Sequence, residues 1–222
     1  GGKTALIYAN ERGQREKFSY KELHQRVEKI SASLRGINLH KGDCVTIYMP
    51  LCPEAIMLML ACVRIGVIHS VVFAGFGAGA LADRIKASNS KVVFTADITF
   101  RKGTIVPLKE IVDSALKKFS DTVESVVILE RDSSSSERLK GRDINWETFL
   151  EYSVNHKGSH VQMEANEVAY ILATSGTTAK PKLAVHTHGG YQVGIHSMGR
   201  WCFGLNENDI WWATSDIGWV VG

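Results

Sequence analysis

Residues 174–186, TSGTTAKPKLAVH, combine small, hydroxyl-bearing and basic residues at a density that suits anion binding. Small residues let backbone N–H groups approach an anion closely, hydroxyls add donors, and lysine ammonium groups neutralise charge. A Walker-type loop does not fit, because Gly176 is followed by Thr177 rather than by a lysine and a helix. The stretch therefore predicts a phosphate-binding loop of another kind. The plainer alternative is a solvated hairpin tip.

The flanks of this loop indicate how it is held. Residues 169–173 before it and 183–186 after it are short apolar runs, which are typical of strands. We therefore predict a strand-loop-strand frame.

A second glycine-rich stretch offers a competing interpretation. Gly75, Gly77 and Ala80 follow the apolar run 71–73 and precede a helical pattern, and Asp97 closes the next predicted strand. This order matches a dinucleotide-binding fingerprint with its ribose-binding acid, which favours an NAD- or FAD-dependent oxidoreductase. The alternative is a flexible loop between a strand and a helix.

The elements around both loops alternate between strand and helix patterns. Ser19 and Glu22 form a capping box, and Pro53 is typical of a helix start. This alternation predicts an α/β fold with a largely parallel sheet flanked by helices. The first predicted helix ends at Gly36, and the later ones span 53–65, 80–87, 107–119, a short stretch at Trp146 and 191–201. The predicted strands span 44–49, 68–73, 91–95, 125–129 and 210–214.

The composition of the chain limits the classes of protein to which it could belong. The chain has 222 residues, of which 45% are hydrophobic and 22% charged, with a net charge of +3. Because the basic residues are scattered, we predict no nucleic-acid partner. The apolar run 55–74 is interrupted by Arg64, Gly66 and His69, so it indicates a helix and a strand rather than a membrane span.

The cysteines and the termini complete this outline. Cys44, Cys52, Cys62 and Cys202 form no C-x-x-C pair, and we expect buried thiols of a cytoplasmic protein. The chain begins without Met and stops within an apolar run, so we expect a fragment of a longer protein. A non-catalytic nucleotide-binding module is a third possibility.

Several separated stretches carry a family resemblance: 18–23, 41–76, 174–182, 186–191 and 215–222. Together they closely resemble the short-chain acyl-CoA synthetases, the acetate–CoA and propionate–CoA ligases of the AMP-forming adenylating superfamily. The resemblance implies that residues 1–222 are part of the large N-terminal AMP-binding domain, truncated at both ends and without the C-terminal domain. It also implies ATP, coenzyme A and Mg²⁺, with the adenine site, the Mg²⁺ ligands and a catalytic lysine outside this stretch.

The implied reaction gives the opening loop its chemistry. A carboxylate attacks the α-phosphorus of ATP to give acyl-AMP and pyrophosphate, and the thiol of CoA then displaces AMP. Lys182 is the expected principal positive charge and acts with Thr174, while Ala179 and Leu183 stand where the family usually has glycine. The residues that match the family's phosphate loop are Thr174, Ser175, Gly176, Thr177, Thr178, Lys180 and Lys182.

A CoA site follows from the resemblance at Arg101, Lys102, Gly103 and Thr104, where acetate enzymes have R-x-G-R. Arg101 matches the first arginine and Thr104 replaces the second, with Lys102 as the candidate substitute. A phosphate favours arginine or dense positive charge. The alternative is an ordinary surface Arg-Lys pair.

Trp219, Val220 and Val221 match the family's acyl pocket, and Val221 also matches its CoA channel. Valine in place of the usual threonine makes an acid slightly larger than acetate plausible, and acetate or propionate is expected. Core packing is the alternative for these valines. Trp211 and Trp212 are interpreted as core or subdomain packing. His186 and His188 alternate on a predicted strand, but two ligands do not make a metal site, so none is predicted.

Overall fold

The computed structural model describes residues 1–132, 137–174 and 182–219. The strands in these ranges are β1 (Thr4–Ala9), β2 (Arg15–Ser19), β3 (Cys44–Tyr48), β4 (Ile68–Val71), β5 (Val92–Ala96), β6 (Thr99–Arg101), β7 (Thr104–Val106), β8 (Ser125–Leu129), β9 (Asp143–Asn145), β10 (Val168–Thr174) and β11 (Lys182–Thr187). The helices are α1 (Tyr20–Gly36), α2 (Pro53–Ile65), α3 (Ala78–Ser88), α4 (Leu108–Leu116), α5 (Trp146–Glu151) and α6 (His188–Ser197), which continues as a π-helix (Met198–Cys202).

The main sheet has the strand order β11-β10-β4-β3-β5-β8-β9. All neighbouring pairs from β10 to β9 are parallel, and only the β10–β11 pair is antiparallel. Helices pack on both faces, so the prediction of a largely parallel sheet flanked by helices is confirmed. Two separate hairpins, β1–β2 and β6–β7, were not predicted from the sequence.

Alternate residues of the central strands point to opposite faces of the sheet, and each face packs into its own hydrophobic core. On β3, Val45 and Ile47 face the core that includes α1, α2 and α5. The next residue along the strand, Tyr48, faces the core that includes α3 and α4. Burial on both faces explains why β3 and β5 are mostly apolar, with one buried threonine each, rather than alternating between apolar and polar residues.

Local signals set the helix boundaries. The predicted capping box is present in α1, with the Ser19 hydroxyl accepting from the Glu22 N–H and the Glu22 carboxylate accepting from the Ser19 N–H. Helix α2 starts with Pro53 and ends at Gly66, whose φ of 75° requires glycine-like freedom. No helix in the described ranges is both long and apolar enough to cross a bilayer.

The region after β11 departs most from the sequence predictions. The predicted strand 210–214 is wrong, because residues 209–214 form no regular structure. Trp211 and Trp212 are exposed rather than in a core, and Cys202 is exposed, unlike the other three cysteines. The pattern misled because apolar residues normally indicate burial, whereas Trp211 packs on the exposed Phe203 ring and both indoles remain open to solvent.

The ends of the parallel strands define one edge of the sheet. Tyr48 ends β3, residues 72–77 follow β4, Asp97 follows β5 and Thr174 ends β10. Because these strands run in the same direction, their carboxyl ends meet at this edge. Ligands of open parallel sheets bind outside this edge.

Candidate functional site

The strand-loop-strand frame around the predicted phosphate loop is present. Thr174 ends β10 and pairs with Lys182, which begins β11. The Thr174 hydroxyl donates to the backbone carbonyl of Lys182 at 3.2 Å, and the Lys182 side chain is exposed. The hairpin thus places a hydroxyl-bearing residue and a basic residue opposite each other at the carboxyl edge. The remaining loop residues of this prediction, Ser175, Gly176, Thr177, Thr178 and Lys180, lie outside the described residues, as do Ala179 and Pro181.

Stacked rings support the base of this hairpin. His69 on β4, Tyr170 on β10 and His186 on β11 are cross-strand neighbours. The Tyr170 ring lies 5.4 Å from the His69 ring and 4.4 Å from the His186 ring, centroid to centroid. Burial, followed by the nearby charge of His188, lowers the pKa of His69 to about 3, so this imidazole is neutral. The stack joins three neighbouring strands of the main sheet.

The predicted alternation of His186 and His188 on one strand is wrong, because β11 ends at Thr187 and His188 begins α6. Burial lowers the pKa of His188, an effect that the charge of Glu167 opposes. Among the described residues, no three His, Cys, Asp or Glu side chains form a group that could hold a metal ion.

The predicted CoA segment forms the tip of the β6–β7 hairpin. Arg101 pairs with Thr104, and Lys102 and Gly103 make the turn between them. Their φ angles are 50° and 78°, as a tight two-residue hairpin turn requires. The Arg101 guanidinium lies over the ring of Phe73, with 5.0 Å between its Cζ and the ring centroid. The hairpin thus carries Arg101 back to the loop that follows β4.

Trp219 from the predicted acyl pocket lies in the same place. Its ring centroid is 5.6 Å from that of Phe73 and 5.8 Å from that of Phe76, and these two phenylalanine rings also touch each other. Phe73 therefore contacts both Trp219 and Arg101, which the sequence assigned to separate subsites. We call Phe73, Phe76 and Trp219 the aromatic cluster. Val220 and Val221 lie outside the described residues.

A turn at residues 216–219 brings Trp219 to the cluster. The Asp216 carboxylate accepts from the Gly218 N–H at 2.8 Å, and the Asp216 carbonyl accepts from the Trp219 N–H at 3.0 Å. A Cβ at Gly218 would lie 2.6 Å from the Phe73 nitrogen, so only glycine permits this approach. Burial raises the pKa of Asp216, although the Gly218 N–H and the charge of Arg101 oppose this effect.

The geometry contradicts the dinucleotide interpretation of Gly75, Gly77 and Ala80. The carboxylate of Asp97, the expected ribose-binding acid, is buried. It accepts from the backbone N–H groups of Ile98 at 2.7 Å, Arg131 at 2.9 Å and Asp132 at 3.3 Å. The hydrogen bonds from Arg131 and Asp132 use the Asp97 carboxylate to fix the loop after β8. A Cβ at Gly75 would collide with the Arg101 guanidinium and the Phe73 ring, so Gly75 serves close packing instead.

The aromatic cluster escaped the sequence analysis. Phe73 precedes a glycine-rich stretch and Phe76 lies within it, between Gly75 and Gly77, and the glycine spacing predicted a dinucleotide site instead. The available signal was the pair of aromatic residues around Ala74 and Gly75, because a glycine between two rings leaves room for a third group to pack against them.

A groove of about 840 Å³ lies elsewhere, between α1, α2 and α6. Leu23, Leu60 and Met163 give it an apolar lining, and His188 reaches it from the start of α6. None of the predicted site residues contributes to it. The chemistry-bearing residues therefore lie at the carboxyl edge and not in this groove.

Comparisons with known proteins agree with this architecture. The chain is 46% identical to the 3-hydroxypropionyl-coenzyme A synthetase of Sulfurisphaera tokodaii over 99% of its length, and 43% identical to the acetyl-coenzyme A synthetase of Pasteurella multocida over 99%. It spans 33% and 34% of these two relatives, which is about a third of their length.

A solved structure shares the fold. The acetoacetyl-CoA synthetase from Streptomyces lividans superposes with a TM-score of 0.87 at 25% identity, and the match covers 98% of this chain and 33% of that protein. The family described as "AMP-binding enzyme" matches residues 1–222. The chain therefore belongs to the AMP-binding enzyme family.

Proposed function

We propose that the protein carrying this chain is an AMP-forming acid–thiol ligase. A short-chain carboxylate oxygen attacks the α-phosphorus of ATP, and pyrophosphate leaves with the electrons of the broken P–O bond. The CoA sulfur then attacks the acyl carbonyl of the acyl-adenylate, and AMP leaves to give acyl-CoA. The observation that carries this proposal is the Thr174–Lys182 hairpin at the carboxyl edge of the main sheet. The chain in which it lies matches the AMP-binding enzyme family over residues 1–222.

In the first step the hairpin would stabilise the leaving pyrophosphate. Negative charge grows on the bridging oxygen as the α-phosphorus bond breaks, and a preorganised ammonium group stabilises that charge. Lys182 begins β11 with an exposed side chain, and Thr174 on the facing strand fixes the base of the loop. The proposal assigns the β- and γ-phosphates to Thr174, Lys182 and the loop between them.

In the second step the β6–β7 hairpin would hold the nucleotide end of CoA. Arg101 supplies a guanidinium, which pairs with phosphate in a bidentate manner, and Lys102 adds a second positive charge. A wall that includes Trp219, Val220 and Val221 would receive the acyl group. Packing of Arg101 and Trp219 on the same Phe73 ring supports this assignment. CoA and the acyl group react with each other in this step, so their binding sites must adjoin.

The proposed carboxylate substrate is inferred from the names of two relatives and from the length of their acyl groups. Two of the relatives are named for acetyl-CoA and 3-hydroxypropionyl-CoA, and we propose acetate, propionate or an acid of similar length. Because one methylene changes discrimination by only about 1–3 kcal/mol, overlapping activity is expected.

Mg²⁺ accompanies ATP in this proposal, with its ligands in the part of the relatives that this chain does not span. We further propose that residues 1–222 form part of a large N-terminal adenylation domain. A cytoplasmic location and the lack of a nucleic-acid partner stay predictions.

Pyrophosphate exchange tests the proposal. The full-length protein, given ATP, Mg²⁺ and labelled pyrophosphate, should return label to ATP only when acetate, propionate or 3-hydroxypropionate is added. Addition of CoA should then yield acyl-CoA and AMP in equal amounts. ATP binding without any carboxylate-dependent exchange would instead indicate a non-catalytic nucleotide-binding module, and ADP as the product would exclude the AMP-forming mechanism.

A further inference from the structure

Tyr48 ends β3 at the carboxyl edge and is fully buried. Its hydroxyl oxygen lies 2.6 Å from the Phe76 carbonyl oxygen and 3.3 Å from that of Ala74. A phenol has one proton to donate. The short distance assigns that proton to Phe76, with Ala74 as a weaker second acceptor. Tyr48 therefore fixes the backbone of the loop after β4, residues 74–76.

The hydroxyl contributes little to the packing of the core. The Tyr48 ring belongs to the apolar cluster with Val72, Leu81 and Val93, which a phenylalanine ring would fill equally well. Burial raises the pKa of Tyr48 to about 12, so its hydroxyl stays a proton donor at any pH at which the enzyme works. A buried hydroxyl costs free energy unless it is hydrogen-bonded, and the loop carbonyls satisfy it.

The loop that Tyr48 holds supports the predicted CoA contact. Gly75 lies at its centre and touches the Arg101 guanidinium so closely that a side chain would displace it. On its far side, the Phe76 ring packs under the guanidinium of Arg84, with 4.3 Å between the Arg84 Cζ and the ring centroid. A shift of this backbone would therefore move the surface on which Arg101 rests.

The Trp219 ring packs on Phe76, but the Trp219 backbone has supports that do not involve Tyr48. The Asp216 turn and the contact of Gly218 with Phe73 fix its backbone, and neither involves the hydroxyl. Loss of the hydroxyl should therefore affect the CoA side of the site more than the acyl side.

We infer that Tyr48 is a positioning residue for the thioester-forming step, in which its hydroxyl fixes the 74–76 loop against which Arg101 binds CoA. This inference rests on the proposed ligase function. Tyr48 itself would touch neither CoA nor the reacting atoms.

Tyr48→Phe in the full-length protein removes the hydroxyl and keeps the ring. One neutral hydrogen bond is lost, so the KM for CoA should rise about three- to tenfold. Carboxylate-dependent pyrophosphate exchange should stay within about twofold of the unsubstituted protein. The matched control is Tyr152→Phe, which removes an exposed phenol hydroxyl at the end of α5. It should change neither quantity.

Combination with Arg101→Ala separates positioning from general stability. If Tyr48 acts through Arg101, adding Tyr48→Phe to Arg101→Ala should raise the KM for CoA no further, because coupled residues are non-additive. Additive effects, an unchanged KM for CoA in Tyr48→Phe, or an equal loss of both half-reactions would each overturn the inference.

If Tyr48→Phe does not fold, Gly75→Ala tests the loop contact through which Tyr48 acts. Its methyl group would collide with the Arg101 guanidinium and with the Phe73 ring, so the KM for CoA should rise by a larger factor than that by which pyrophosphate exchange falls. A normal KM for CoA, or an equal loss of both half-reactions, would overturn the inference. Failure of the proposed function is distinguishable, because the unsubstituted protein would then show no carboxylate-dependent exchange at all.

Discussion

Lys182 and Thr174 are the members of the predicted phosphate loop whose positions are described, and both lie where the antiparallel pair β10–β11 begins to open. An exposed lysine contributes little to stability. Its value would lie in an interaction that strengthens as pyrophosphate leaves. Substitution can separate these two roles.

Lys182→Ala in the full-length protein should therefore slow adenylation more than it weakens ATP binding. Loss of a preorganised charge of this kind costs about 3 kcal/mol, or roughly a hundredfold in rate. Single-turnover formation of acyl-AMP measures this rate, and Lys157→Ala, at another exposed lysine, is the control. A rate within a few-fold of the unsubstituted protein would show that Lys182 is surface charge.

The proposed function assigns Arg101 to the second half-reaction. Arg101→Ala should leave carboxylate-dependent pyrophosphate exchange nearly unchanged and raise the KM for CoA. A charge-assisted contact contributes about 1.5–3 kcal/mol, which corresponds to a rise of about ten- to a hundredfold. Dephospho-CoA lacks the nucleotide 3′-phosphate, so mutant and unsubstituted protein should differ little with it. Equal losses with both substrates would show that Arg101 supports the fold, through its packing on Phe73.

At the scale of elements, a buried ion cluster joins α4 to β9. The Lys109 ammonium lies 2.6 Å from the Asp113 carboxylate and 2.9 Å from that of Asp143, and Lys109 and Asp143 are 1% and 0% exposed. Arg142 donates to the second oxygen of Asp143 at 2.6 Å. A buried charge is costly unless it is paired, so each member of this cluster depends on the others.

Asp143→Asn should lower the free energy of unfolding by about 3 kcal/mol at pH 7, because Lys109 would keep only one of its two partners. Urea unfolding of the full-length protein measures the change. Asp121→Asn, at an exposed position after α4, should have little effect. A loss below about 1 kcal/mol would show that Asp113 alone satisfies Lys109.

The pH dependence of this effect has a defined sign. Burial alone would raise the pKa of Asp143, but hydrogen bonds from Arg142, Lys109 and the Leu139 N–H outweigh burial and hold the pKa below its usual range. A lowered pKa in the folded state contributes stability above the unfolded value of about 3.9, and this contribution is lost as the pH falls through the folded value. The difference between Asp143→Asn and the unsubstituted protein should be constant near pH 7 and shrink below about pH 4.

At the scale of the whole molecule, the part after β11 presents an apolar surface. Trp201 is 78% exposed and Trp212 is 81% exposed, and Val193 and Ile195 are exposed on α6. Large apolar side chains exposed in such number are typical of an interaction surface. The relatives are about three times as long as this chain, and we expect this surface to pack against the additional polypeptide in a full-length protein.

Residues 1–222 alone should therefore have no ligase activity. The resemblance places the adenine site, the Mg²⁺ ligands and a catalytic lysine outside them, so adenylation has no complete site. Pyrophosphate exchange with acetate or propionate, compared with that of the full-length protein, measures this directly. Turnover above background by the isolated chain would contradict the expectation.

The sequence by itself determined the sheet class, most element positions and the strand frame of the phosphate loop. These features depend on local signals: the capping box at Ser19, the helix start at Pro53 and short apolar runs for parallel strands. Such signals act over a few residues, so each can be read without knowledge of the rest of the chain.

Only the tertiary structure decided how the site residues combine. The glycine fingerprint and Asp97 predicted a dinucleotide site by spacing alone, but the fold commits Asp97 to backbone N–H groups and Gly75 to the packing of Arg101. Arg101 and Trp219 are far apart in sequence, and both reach the Phe73 ring because the β6–β7 hairpin carries Arg101 there and the turn at residues 216–219 carries Trp219. Local patterns carry no information on such contacts, because these depend on which strands lie side by side.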